Sequence, residues 1–321
     1  MTGSRARRID RLAEELEESG LPSASNSQSR DLLLDEVDRA LRPVVHERRV
    51  PSSGTIVEPG VAPDAWTTGT QLDIAHVPVA SLSLDLDDAR RYVDGLSSWL
   101  VRRTEPDHDD FLLFDRPAGS ERDLVVLAKV MDACVVQRHP AGPVRVVGPF
   151  GVLRWEGLRW HHEPPISTWL DAMTDIGEVG EQEVLEALLR LAVHDLGAQG
   201  IGALLVCQLS TGGAPRIEEQ LSSPPPLRAN RATHLAPLRH ALSQVDGAAI
   251  FDRDGILRQL GVELRSAAEG DHVLPPWQGT RHTAALRYSG ENPVSVLIVV
   301  SEDGPVTVMR GGAPIERFSG S

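Results

Sequence analysis

Three short segments of the sequence place small, polar or charged residues where a ligand can reach backbone amides. They are VDGA at 245–248, GTRHTAAL at 279–286 and VVSED at 299–303. The second segment is predicted to begin a helix, where unpaired N–H groups and the positive end of the helix dipole attract anions. Because Arg281 and His282 fall in that first turn, this segment predicts a phosphate site.

The other two segments supply an acid beside small residues and a pair of acids after a strand. Asp246 is expected at a helix-to-strand connection, and Gly247 and Ala248 are small enough for a nucleotide to lie against the backbone. Glu302 and Asp303 follow an almost wholly apolar run, and their oxygens are the ligands that Mg²⁺ or Mn²⁺ prefers in phosphoryl transfer. Taken singly, each segment also fits an ordinary turn or helix cap.

The elements that position these segments alternate between helices and short apolar strands. We predict helices over 181–196, 231–242 and 281–288, and strands over 201–209, 248–251, 256–260 and 294–300. This order predicts an α/β domain over residues 166–321, built as a layered mixed β-sheet flanked by helices.

The preceding part of the chain is predicted to hold a smaller α/β or α+β domain over residues 48–165, and we expect a regulatory role for it. Its apolar runs predict strands over 111–114, 144–147 and 152–155 and helices over 89–101 and 124–131. Residues 1–47 are predicted to form a helical arm and linker, most simply a solvated arm, although a partner-binding helix fits the same pattern.

No catalytic constellation is found in this first half. The charged run EPDHDD at 105–110 is typical of a solvated loop. Of the adjacent His161 and His162, at most one can face a common site, because neighbouring residues of a strand point to opposite sides. Trp155 and Trp160 are expected to close the core of this domain.

Composition excludes several classes of function. The net charge of -14 argues against broad binding to nucleic acid or anionic membranes, which draws its energy from clustered basic residues. The single lysine, Lys129, precedes a valine, so no GxxxxGK[ST] phosphate loop is present. Cys134 and Cys207 form no metal-binding spacing, and no apolar run is long enough to cross a bilayer. We therefore expect a cytoplasmic protein without a membrane partner.

Together and in this order, the three segments resemble the diadenylate cyclase domain of the DNA-integrity scanning protein family. The resemblance covers about residues 180–310 and includes the apolar run GALLV at 202–206. It implies an enzyme that condenses two ATP molecules into cyclic di-AMP with Mg²⁺ or Mn²⁺. It also implies a homodimer, because two domains must face each other across a two-fold axis, each with one ATP.

The resemblance also implies a role for each matching residue. Asp246 orients and helps to deprotonate the ribose 3′-hydroxyl. Gly247 and Ala248 would contact the nucleotide, and the triphosphate would be bound by Gly279, Thr280, Arg281 and His282. Ser301 and Glu302 would contact phosphate. Glu302 and Asp303 would bind the metal ion. The family pattern is Arg-His-Arg, whereas this chain has Thr283 at the third position, where it too is expected to contact ATP. A guanidinium that could bind phosphate in a bidentate way is therefore missing there.

Two other functions remain open at this point. The first is a binding module of the same fold that holds ATP or a dinucleotide without condensing it, which the change at Thr283 supports. The second is a structural interaction protein without a ligand, in which the three segments are unrelated turns and caps. Formation of product from ATP and Mn²⁺ separates the enzyme from the module, and a thermal shift with ATP separates the module from the structural protein.

Overall fold

A computed structural model describes residues 2–22, 27–43, 51–61, 75–78, 85–104, 109–173, 179–209, 217–218, 223–264 and 279–315. The chain divides into two compact units, Met1–Pro165 and Ile166–Ser321. Most of the charged run at 105–110 lies outside the described residues. None of the described helices is long and apolar enough to cross a membrane.

Within its described residues, the first unit contains a mixed sheet of eight strands. Its helices are α1 Thr2–Glu18, α2 Ser27–Leu41, α3 Leu86–Ala89 and α4 Glu121–Met131, with a 3₁₀ turn at Arg90–Tyr92. Its strands are β1 Ser53–Val57, β2 Ala75–Pro78, β3 Ser98–Thr104, β4 Asp109–Asp115, β5 Cys134–Arg138, β6 Val144–Gly148, β7 Gly151–Trp155 and β8 Trp160–Glu163. The strand order is β2-β4-β3-β1-β5-β6-β7-β8.

The two N-terminal helices pack on this sheet, so the expectation of a solvated arm was wrong. Leu16 and Val37 are fully buried, in a cluster that also holds Leu153 and Trp160 from the sheet. Trp155 and Trp160 lie in contact in the same cluster, with ring centroids 5.4 Å apart, which confirms their place in the core. An apolar stripe on a charged helix thus closes one face of the sheet.

Helix α4 covers the opposite face and carries a buried ion pair. Ser120 caps its start in a reciprocal capping box with Asp123. Glu121 accepts two hydrogen bonds of 2.7 Å from the Arg154 guanidinium, and both side chains are almost completely buried. This bidentate geometry satisfies the two charges away from water.

The helix predicted over 89–101 is mostly absent. Helix α3 and the 3₁₀ turn end at Tyr92, and strand β3 begins at Ser98. Between them Gly95 has a φ of 68°, and an added Cβ there would lie 2.3 Å from the carbonyl oxygen of Ser53. The close approach of these two backbones ends the helix and turns the following apolar residues into the sheet.

In the part of the second unit that the structure describes, a mixed sheet of seven strands has helices on both faces. Its helices are α5 Ser167–Asp171, α6 Val179–Arg190, α7 Ala232–Gln244 and α8 Thr280–Glu291, and α6 continues through a π-helical turn at Leu191–Leu196 and a 3₁₀ turn at Gly197–Gln199. Its strands are β9 Ala203–Gln208, β10 Ile217–Glu218, β11 Ala248–Phe251, β12 Leu257–Leu264, β13 Ser295–Val300, β14 Val306–Arg310 and β15 Ala313–Pro314. The strand order is β10-β12-β11-β9-β13-β14-β15.

Two separate cores form on the faces of this sheet. Residues of α6 and α7, including Leu188 and Leu238, pack on one face with Leu205 and Ile298. Helix α8 packs on the other face, where the fully buried Ala285 meets residues of the central strands. The predicted α/β domain with a layered mixed sheet is therefore confirmed.

Candidate functional site

The three segments selected from the sequence meet at one end of three adjacent strands. Strand β11 is parallel to β9, with Ala248 opposite Leu204. Strand β13 is antiparallel to β9, with Val300 opposite Ala203. The starts of β9 and β11 therefore lie beside the end of β13, although the three segments are far apart in the sequence.

The first turn of α8 is open to a ligand. Gly279 is its N-cap residue and makes no capping hydrogen bond with a side chain. The first turn contains no acidic residue, and an added Cβ at Gly279 would meet none of the described residues within 4 Å. Because the first N–H groups of a helix have no partner within it, this turn presents donors and positive potential.

A tight turn joins β13 to β14 and presents the two acids. The Ser301 amide donates to the Pro305 carbonyl at 3.0 Å, and the Gly304 amide donates to the Ser301 carbonyl at 3.0 Å. Glu302 and Asp303 are exposed at the tip of this turn. Both carboxylates are therefore accessible for phosphate or metal chemistry.

Asp246 lies in the connection between α7 and β11. Its side chain is 99% exposed. The next residue, Gly247, has a φ of 98°, and an added Cβ would lie 2.8 Å from the Gly261 carbonyl carbon. Only glycine fits this backbone without strain, so the turn that presents Asp246 depends on it.

Arg281 connects the three segments. Its Nη1 donates to Glu302 Oε1 at 3.1 Å, and its Nη2 donates to Asp246 Oδ1 at 3.4 Å. One guanidinium from the start of α8 thus contacts the acid before β11 and the acid after β13.

His282 lies beside the same turn in a half-buried position. Its Nε2 is 3.4 Å from the Thr307 hydroxyl. Burial lowers the pKa of the imidazole below its usual value, while the nearby Asp303 carboxylate acts in the opposite direction. The lowered pKa favours a neutral ring at neutral pH.

A pocket of about 490 Å³ opens between the start of α8 and the β13–β14 hairpin. The lining residues are Gly279, Thr280, Arg281, His282, Val299, Val300, Ser301, Glu302, Asp303, Pro305 and Thr307. Seven of the predicted site residues therefore line one pocket. The Asp246 carboxylate is linked to this pocket by its hydrogen bond with Arg281.

The side chains of two predicted site residues do not face the pocket. The Ala248 side chain is fully buried beneath α8, so only its backbone is left for a ligand. Thr283 lies one turn inside α8, where its amide and its hydroxyl both donate to the Gly279 carbonyl, at 3.1 and 3.4 Å. Thr283 is not among the residues that line the pocket.

Sequence reasoning missed Gly202, the residue before β9. An added Cβ at Gly202 would lie 2.3 Å from Arg281 Nη1 and 2.7 Å from Glu302 Cγ. The missing side chain leaves the room in which these two groups meet. A glycine directly before a buried strand was the available signal, but only the strand order reveals what it faces.

His161 and His162 belong to no group of metal ligands among the described residues. His162 Nε2 lies 2.8 Å from the Phe150 carbonyl, and no group of three potential metal ligands occurs among the described residues.

Residues 190–313 match the family model described as DAC, the DisA bacterial checkpoint controller nucleotide-binding domain. The C-terminal domain belongs to this family. The match includes all three segments that meet at the strand ends, which confirms the resemblance found in the sequence. Residues 11–163, before the DAC domain, match a second model, described as probable sensor domain DACNK.

Solved structures of similar proteins align with part of the chain. One, described as a hypothetical membrane spanning protein from Bacillus cereus, is 20% identical, covers 42% of this chain and 68% of its own, and has a TM-score of 0.34. Another, a double-cysteine variant of DacA from Staphylococcus aureus, is 19% identical, covers 44% of this chain and 91% of its own, and has a TM-score of 0.31. No curated protein matches.

Proposed function

We propose that this protein is a diadenylate cyclase, which condenses two ATP molecules into cyclic di-AMP and releases two pyrophosphates. The observation that carries the proposal is the meeting of Asp246, Arg281 and Glu302 at the ends of β11, β9 and β13. An open helix start, a fixed cation and exposed carboxylates are the groups that phosphoryl transfer requires, because positioning and charge stabilisation supply most of its catalysis.

Each half of the reaction forms one phosphodiester bond. The ribose 3′-oxygen of one ATP attacks the α-phosphorus of the other, the bond from that phosphorus to the bridging oxygen breaks, and pyrophosphate leaves. Asp246 is the proposed acceptor of the 3′-hydroxyl proton. The first turn of α8, with Thr280, Arg281 and His282, holds the triphosphate through backbone amides and side chains.

The reaction needs two copies of the domain. One domain offers one helix start and one Asp246, whereas ring closure needs two attacks on two phosphates. A two-fold dimer supplies both, because each copy presents the same surface to the other. The exposed position of Asp246 leaves it accessible to a facing protomer.

The donor groups of the site fit Mg²⁺ or Mn²⁺. Glu302 and Asp303 are exposed hard-oxygen donors on one turn, and Mg²⁺ usually binds through one or two carboxylates and the phosphates of its substrate. No trio of ligating side chains occurs among the described residues, and substrate phosphates and water would complete the coordination. When bound, the ion neutralises charge that develops on the phosphates.

A second function has one specific observation in its favour. Thr283 hydrogen bonds to the α8 backbone and offers no cation to the triphosphate. A domain that binds ATP but condenses it slowly or not at all would fit this change. The two functions share the pocket and differ only in turnover.

The test is to incubate the purified full chain with ATP and Mn²⁺ and to analyse the products by mass spectrometry. The proposal expects cyclic di-AMP and pyrophosphate in a 1:2 ratio. Thermal unfolding with and without ATP is measured in parallel. Stabilisation by ATP without any cyclic product would support the binding module instead, and neither product nor stabilisation would reject both functions.

A further inference from the structure

Arg281 contacts two carboxylates through two different nitrogens. Nη1 donates to Glu302 and Nη2 donates to Asp246, so each terminal nitrogen of the guanidinium has a carboxylate partner. The Arg281 side chain is 31% exposed, whereas Glu302 and Asp246 are 75% and 99% exposed. The carboxylates reach the cation from solvent, and each can leave it without losing a buried position.

Gly202 makes this arrangement possible. Any side chain at that position would fall on Arg281 Nη1 and Glu302 Cγ, at 2.3 and 2.7 Å. Arg281 and Glu302 therefore pack against the backbone at the start of β9.

The same guanidinium has a second set of partners in the proposed function. A triphosphate at the start of α8 would accept hydrogen bonds from Arg281, and its negative charge would compete with the two carboxylates for the same guanidinium. A divalent ion about 2.1 Å from Glu302 Oε1 would also lie close to Arg281, because the guanidinium is 3.1 Å from that same oxygen. Two cations in such proximity repel each other.

We infer that Arg281 couples nucleotide binding to metal binding by exchanging partners. Without nucleotide, the guanidinium pairs with Asp246 and Glu302 and competes with the divalent ion. The triphosphate draws Arg281 away and leaves the carboxylates to the metal and the 3′-hydroxyl. The inference rests on the proposed function, since it assigns the order in which that site is filled: nucleotide first or together with its metal, and not metal first.

The experiment measures Mn²⁺ binding to the full chain without nucleotide, by electron paramagnetic resonance of the unbound ion. Arg281→Gln should raise the Mn²⁺ affinity about fivefold over wild type, the size expected when the exposed ion pair with Glu302 no longer competes. The double change Arg281→Gln with Glu302→Gln should abolish the gain, because the freed carboxylate is then missing.

Arg258→Gln is the matched control. Arg258 pairs with Asp252 at 2.6 Å in the same domain, outside the pocket, so this variant also removes one positive charge and releases one oxygen of a carboxylate. It should leave Mn²⁺ affinity unchanged. An equal gain in the control, or a gain below twofold in Arg281→Gln, would overturn the inference.

The titration involves no turnover, so its outcome is independent of the cyclase assay. Cyclic di-AMP from wild type with no gain in Arg281→Gln rejects the partner exchange alone. A gain in Arg281→Gln with no product from wild type rejects the proposed reaction and supports the competition between arginine and metal.

Discussion

Replacing Asp246 with alanine tests the proposed chemistry with little disturbance of the fold. The side chain is 99% exposed, and the one hydrogen bond found for it among the described residues is the 3.4 Å contact with Arg281. An exposed ion pair of this length adds little to stability. The melting temperature of Asp246→Ala should therefore equal that of wild type within error.

The expected effect on catalysis is large. Removal of a general base costs at least ~100-fold in rate, which corresponds to about 2.7 kcal/mol of transition-state stabilisation. Affinity for ATP should be kept or slightly increased, because the start of α8 is untouched and Arg281 loses one of its two carboxylate partners. The variant should thus lose kcat while its KM for ATP stays the same or falls.

The assay follows cyclic di-AMP by mass spectrometry and ATP binding by calorimetry. Asp254→Ala is the control, since Asp254 is an exposed aspartate in a turn of the same domain. The control should retain full activity. Cyclic di-AMP output from Asp246→Ala within a few-fold of wild type would refute both the role of Asp246 and the mechanism built on it.

Mixed dimers sharpen the same prediction. In a dimer of one wild-type and one Asp246→Ala chain, only one of the two 3′-hydroxyls is activated. One phosphodiester bond then forms, and the linear intermediate pppApA should accumulate in place of the cyclic product. Cyclic product at half the wild-type rate would contradict the assignment of one Asp246 to each nucleotide.

Three further changes test other parts of the structure. Arg287, exposed on α8 four residues after Thr283, is predicted to replace the missing guanidinium in part: Arg287→Ala should lower cyclase activity and Thr283→Arg should raise it, and unchanged activity in Arg287→Ala would contradict the idea. Because burial lowers the pKa of His282, its NMR titration midpoint should lie below 6.5, and the stability that it contributes should be present above pH 6.5 and lost as the pH falls through that midpoint; His282→Gln should weaken this acid dependence of thermal unfolding. Glu121→Gln should cost about 1.5–3 kcal/mol in denaturant unfolding because it removes the charge from the bidentate pair with the buried Arg154, while the Glu163 carboxylate stays near, and a loss below 1 kcal/mol would contradict that account.

Local sequence determines several of these elements. The start of α8 follows from Gly279 before an arginine and a histidine, and the exposed acids follow from an apolar strand that ends at a polar turn. These signals depend on neighbours in the sequence, so they can be recognised without knowing the fold.

Other features depend on contacts between distant residues. Residues 98–101 fit the apolar spacing of a helix in the sequence. In the structure they form part of a strand, because the Gly95 backbone lies close to Ser53 in the neighbouring strand. The stripe on α1 that includes Leu16 fits a solvated helix and a packed one equally well, and only the facing sheet decides between them. The role of Gly202 likewise requires the register of β9 against β13.

Asp246 and Glu302 lie at the ends of central strands whose register is set by consecutive backbone pairs. Because these strand ends are fixed, the positions of the two acids within one domain are fixed as well. If two copies must meet to complete a turnover, the rate of synthesis at low concentration rises with the square of the amount of protein. The amount of protein would then control the reaction, and a twofold change in protein concentration would change the rate of product formation about fourfold.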